Sequence, residues 1–164
     1  MNESAAAEPP MPAFDHAGLI RELITSATHA TLGTLDGDGA PFTSLVALAR
    51  DEGLSPLIIT SHLSTHTGHL EREPRVSLLI SAIGKGDPLA HPRLTLTGRA
   101  RAAKPGEPEY ARIRPIYIAQ NPKAELYVQL PGFWFWKITP ERLFLNGGFG
   151  RAWNGDWNAF AASG

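Results

Sequence analysis

The run Ala30-Thr31-Leu32-Gly33-Thr34-Leu35-Asp36-Gly37-Asp38-Gly39 decides the fold class. Its first six residues alternate small or polar side chains with leucines, the period-two pattern of a half-buried strand. Asp36-Gly37-Asp38-Gly39 then offers two Asp-Gly steps, which accept the positive φ angles of a tight hairpin. A returning strand is therefore expected over residues 41–49.

Upstream, Leu19, Ile20, Leu23 and Ile24 recur at helical spacing and predict a short amphipathic helix over residues 17–27. Downstream, residues 56–60 form the next strand. Ser64 is placed to cap a helix that Pro74 ends near residue 73. Residues 75–81 read as a mostly buried strand, and residues 93–100 alternate cleanly as a long one. A helix is expected over residues 107–119, stopped or kinked by Pro115. Further strands are expected at residues 124–129, 133–138 and 142–145, before the glycine-dense turn Gly147-Gly148-Phe149-Gly150-Arg151. Short strands joined by tight turns, with a few helices between them, predict a mainly antiparallel sheet closed as a barrel. The organisation is a tail over residues 1–14, one domain over 15–155 and a C-terminal tail over 156–164.

Composition removes several functions. The formal net charge is -1, so no positive field attracts a nucleic-acid backbone. There are no cysteines, which excludes disulfides, thiolate metal sites and cysteine nucleophiles. No apolar run reaches the roughly 18 residues of a membrane span, and the N-terminus lacks a signal-peptide pattern. A cytoplasmic protein is expected. Six histidines are present. His62 and His66 have i, i+4 spacing, yet no acidic residue is placed as a third ligand, so no metal site is assigned. No Gly-x-Ser-x-Gly elbow and no dinucleotide-binding glycine pattern occurs, and catalytic residues remain unknown. What remains is Thr60-Ser61-His62-Leu63-Ser64-Thr65-His66-Thr67 at a strand end and helix opening. Backbone N–H groups and hydroxyls there can cradle an anion. Phe133-Trp134-Phe135-Trp136 alternates phenylalanines and tryptophans on opposite strand faces. One face is expected in the core and the other at a dimer interface, and a tryptophan beside a ligand pocket is the alternative.

The hairpin over residues 30–46 resembles the opening hairpin of pyridoxamine 5'-phosphate oxidase-like split barrels. Residues 61–67, Asp87-Pro88-Leu89 with residues 92–100, and Gly147-Gly148-Phe149-Gly150-Arg151-Ala152 resemble the haem-utilisation (HugZ-like) branch of that superfamily. The resemblance implies an antiparallel split β-barrel, a homodimer, and FMN at the subunit interface. It places Thr43, Ser44, Leu45 and Val46 against the flavin ring. It gives the phosphate to Ser61, Thr65, His66 and Thr67, with cationic help from Arg151 of the same or the partner subunit. In the oxidase, Arg and Lys stand at the positions of Thr65 and His66, so phosphate binding here falls to N–H groups, hydroxyls and a protonated His66. The oxidase's C-terminal Trp-Arg and Arg-x-His signature is absent. The implied function is an FMN-dependent oxidoreductase acting on an unidentified small molecule. The alternatives are a haem-binding or haem-degrading protein, with His62, His69 or His91 as an iron ligand, and a non-catalytic flavin-binding module.

Overall fold

The computed structural model describes residues 14–82 and 84–163. The expected N-terminal tail lies outside the described residues except for Phe14, which packs against the core. Helix α1 (His16–Ser26) starts where the Asp15 carboxylate accepts the Gly18 amide at 2.8 Å, and it buries Ile20, Leu23 and Ile24. Strands β1 (His29–Leu35) and β2 (Pro41–Ala47) form the expected hairpin, with the Asp36 carboxylate accepting the Asp38 and Ala40 amides in the turn. Then come β3 (Ala49–Arg50), β4 (Pro56–Ser61), α2 (Thr65–Arg72), β5 (Arg75–Ser81), β6 (Arg93–Ala103), α3 (Pro108–Gln120), β7 (Phe133–Asn146), β8 (Ala152–Asp156) and α4 (Trp157–Ala161).

All described strand pairs are antiparallel. The strand order is β2-β1-β5-β6-β7-β4-β3, with β8 on the second half of β7. Strands β2 and β3 end this order on opposite sides, yet only Leu48 separates them in the chain. The sheet must therefore curl until its two edges meet. No ladder joins β2 to β4 where they meet, which makes the barrel split. The end of α3 fastens this seam: Tyr117 donates to the Ala47 carbonyl, Asn121 to that of Leu48, and Gln120 to that of Arg50.

Two cores result. The inner faces of the strands, including Leu32, Leu78, Leu96 and Ile138, fill the barrel with α1 and α4. A second core lies outside β3, β4 and the first half of β7, where α3 covers Leu57, Phe135 and Ala103. The aromatic run thus divides between two cores: Trp134 and Trp136 join the first and Phe135 the second. The expected division of faces holds, but both faces are covered within the chain, one in the barrel core and the other under α3.

Four expectations change. Residues 124–129 do not form a strand; Pro122–Leu126 is a 3-10 turn that buries Ala124, with Val128 buried just beyond it. Strands expected at 133–138 and 142–145 are one strand, because Pro140 stands opposite Gly98 where the register shifts and Glu141 is the additional residue. A Cβ on Gly98 would strike the Thr139 carbonyl. Helix α3 runs through Pro115. Residues 156–164 are not simply a tail, since α4 places Trp157 and Phe160 in the barrel core.

Candidate cofactor site

Strand β4 delivers Ser61 to the mouth of the barrel, and α2 opens four residues later. The corner is locally braced. The Ser61 carbonyl accepts the Ser64 amide at 2.9 Å and the Thr67 hydroxyl at 2.6 Å. The Ser61 hydroxyl accepts the Leu63 amide at 3.2 Å. Ser64 occupies the cap position, but its side chain makes no capping hydrogen bond. Among the described residues, the Thr65 and His66 amides have no backbone acceptor outside the helix. These orphan donors lie at the positive end of the helix dipole, where an anion could be received.

The expected phosphate residues separate by role. Thr65 is exposed and Ser61 is half-buried, so both hydroxyls can reach a ligand. Thr67 is buried, and its only hydroxyl proton is used within the corner; it braces the loop instead of donating to an anion. His66 is half-buried, and desolvation, followed by the nearby His69, lowers its pKa below the ordinary 6.5. It therefore stands neutral near pH 7. The protonated His66 expected to replace the lost basic residues is not favoured here.

Strand β2 presents the expected ring-contacting residues on alternate faces. Ser44 and Val46 stand opposite Leu32 and Ala30 and point into the barrel, whereas Thr43 and Leu45 point outward. Only Thr43 and Leu45 can lay side chains on a ligand outside the barrel. The Ser44 hydroxyl is buried and has no hydrogen-bond partner. His69 closes the barrel mouth: it is 8% exposed, its Nδ1 lies 3.0 Å from the Thr34 hydroxyl, and Phe42 meets it edge-on at 5.3 Å.

Arg151 is not brought to this corner within its own chain. Ser61 pairs with Phe133 at one end of β7, and Arg151 follows the other end, about 40 Å of strand contour away. Its guanidinium lies 5.9 Å from the Phe14 ring.

The exterior of the barrel that α3 leaves uncovered carries a row across five strands. Leu45 pairs with Thr31, Thr31 with Leu79, Leu79 with Thr95, and Thr95 with Phe144. Leu45, Leu79 and Phe144 are 71%, 39% and 40% exposed. Beside this row lies an apolar groove of about 350 Å³ whose lining includes Gly33, Thr43, Ser77 and Thr97. A side chain at position 33 would collide with the Ser77 hydroxyl.

Residues 18–147 match the family model described as pyridoxamine 5'-phosphate oxidase. The chain belongs to this family. It is 32% identical over 124 residues to the non-canonical heme oxygenase HOZ of Arabidopsis thaliana, covering 74% of this chain and 37% of that protein. A solved heme binding protein from Mycobacterium smegmatis is 32% identical, with a TM-score of 0.77 over 86% of this chain and 59% of that one. HutZ from Vibrio cholerae, described as a haem storage protein, shares the fold at 23% identity and a TM-score of 0.66, over 80% of this chain and 94% of its own. The chain thus spans less than two thirds of the plant and mycobacterial relatives. Among the described residues no helix is long and apolar enough to cross a membrane.

The uncovered row and the pairing of His62 with Gly132 were not legible in the sequence. Pro131-Gly132 signals a turn, but nothing local pairs it with a histidine 70 residues away.

Proposed function

We propose that the chain is a haem-binding protein that uses the β4–α2 corner, closed by a second copy of itself. One observation carries this reading. Among the described residues the corner offers hydrogen-bond donors but no cation of its own, beside apolar Leu63 that faces solvent. A phosphate dianion is ordinarily met by Arg or Lys. The carboxylates of a flat, mainly apolar ligand need less: a helix N-terminus stabilises such a charge by about 0.3–1 kcal/mol. The HOZ and mycobacterial relatives, by their descriptions, act on or bind haem, which agrees with that chemistry.

The homodimer rests on the uncovered row. Leu45, Leu79 and Phe144 make a sheet face that a second copy would cover. Arg151 of that copy is then free to serve the site in trans, the role it cannot fill in cis.

FMN is the second reading, favoured by membership of the pyridoxamine 5'-phosphate oxidase family. A bound flavin would supply redox chemistry for an FMN-dependent oxidoreductase. Titration of the purified chain with haemin and separately with FMN, followed by absorbance, separates the two. The haem reading expects a saturable shift of the Soret band and only weak FMN binding. Tight FMN binding with an unchanged haemin spectrum overturns it in favour of the flavin.

A further inference from the structure

We infer that His62 is the protein ligand to the iron of a bound haem, with Leu63 and Leu130 flanking the porphyrin. This inference rests on the haem reading above.

Among the described residues no group of three or more His, Asp or Glu side chains could hold a bare metal ion. Haem iron is different, because the porphyrin already supplies four nitrogens and one imidazole suffices from the protein. Each histidine can then be judged by whether a ring nitrogen is free and its ring is held. His69 is shut in by Thr34 and Phe42. His91 bonds the Lys85 carbonyl through Nε2 at 3.0 Å, and the Cε1 edge of its ring lies against Gly84. His16 stacks on Trp153, and His29 bonds its neighbour Thr28. His66 has no hydrogen-bond partner among the described residues to orient its ring.

His62 meets both conditions. His29 and His91 also have one ring nitrogen held and the other open, but of these three only His62 lies in the β4–α2 corner. Its Nδ1 lies 3.3 Å from the Gly132 carbonyl, and its backbone amide donates to the same oxygen at 2.7 Å. A carbonyl only accepts, so the proton of the neutral ring sits on Nδ1 and the Nε2 lone pair is left open. A ring N–H held by a backbone carbonyl is the usual support of a metal-ligating histidine. Gly132 makes the pose possible: its φ is +84°, and a Cβ there would run into the His62 ring. Beside the imidazole, Leu63 is 83% exposed and Leu130, two residues before Gly132, is 51% exposed. Exposed leucines next to His62 and two residues before Gly132 fit a flat apolar macrocycle, whose carboxylates can turn to the open amides at the start of α2.

The test is haemin titration of the full chain, read by absorbance and by the iron–histidine band in resonance Raman spectra. Wild type is compared with His62→Ala, His62→Gln and His66→Ala. The inference expects a histidine-ligated spectrum in wild type and in His66→Ala. Both His62 variants should lose that signature and weaken binding tenfold or more, and free imidazole should restore it in His62→Ala. A wild-type spectrum in a folded His62 variant, or loss of the signature in His66→Ala instead, overturns the assignment while leaving haem binding intact. Wild type that shows no haemin complex overturns the haem reading itself.

Discussion

The two ends of strand β7 are built in opposite ways. At the Phe133 end, Ser61 pairs with the strand, His62 reaches the Gly132 carbonyl through two donors, and Trp136 donates to the buried Thr60 hydroxyl at 2.8 Å. At the Asn146 end the strand runs into a glycine turn that leaves Phe149 exposed and aims Arg151 at the Phe14 ring. The first end is preorganised and can fix a ligand atom. At the second, Arg151 gains a ligand role only when another molecule is laid over it. Residues that sequence reasoning grouped into one site thus fall at two ends of a strand, and a second chain is what can reunite them.

The most forceful way to break this comparison is to prevent that second chain from docking. Leu79→Arg places a charge in the middle of the uncovered row. Burying it unpaired costs about 3–5 kcal/mol, so the variant should sediment as a monomer at concentrations where the proposed wild-type dimer forms. The monomer should retain its fold, because Leu79 lies outside both cores.

A smaller effect probes the preorganised end. Gly132→Ala forces a side chain into a positive-φ position and against the His62 ring. Strain of this kind costs about 1–3 kcal/mol, to be read as a lower midpoint in urea unfolding. Haemin binding should weaken along with it, as the imidazole is displaced.

At the other end, Arg151→Ala should change stability by less than about 0.5 kcal/mol, as exposed substitutions usually do. Its effect belongs to the ligand: weaker binding with a shallower salt dependence, provided that the dimer is intact. In the Leu79→Arg background the same substitution should change binding no further.

The smallest expected effect is a slope. His66 has a folded pKa below its ordinary 6.5, so the unfolded chain binds more protons than the native one in the window just below that value. Its contribution is present above 6.5 and is lost as pH falls toward the lowered value. His66→Gln should flatten that part of the stability profile, measured by urea unfolding at several pH values, and leave ligand affinity at pH 7 almost unchanged.

Much of the fold was legible because local signals agreed with the final packing. The Asp-Gly turn after Leu35, the alternation over residues 93–100 and the amphipathic first helix all appear where the pattern puts them. The failures share a cause in long-range contacts. Pro140 reads as a strand breaker, but the bulge opposite Gly98 lets β7 continue through it. Residues 152–156 alternate between partly and fully exposed positions, so this edge strand leaves no hydrophobic signature. Trp157 and Phe160 look like a fragment of a tail until the barrel core receives them. At the site, the Ser61–Thr67 corner could be found because hydroxyls and a cap cluster in sequence. That Thr67 serves as a brace, that His66 is neutral and that His62 is aimed by Gly132 all depend on contacts or burial that no local pattern encodes.

Native mass spectrometry of the purified chain loaded with haemin tests the central claim most directly, since it reads assembly and ligand together. The account predicts a dimer carrying one haem per chain, with haem lost when Leu79→Arg dissociates the dimer. A monomer that holds haem, or a dimer that retains FMN and takes up no haem, would contradict it.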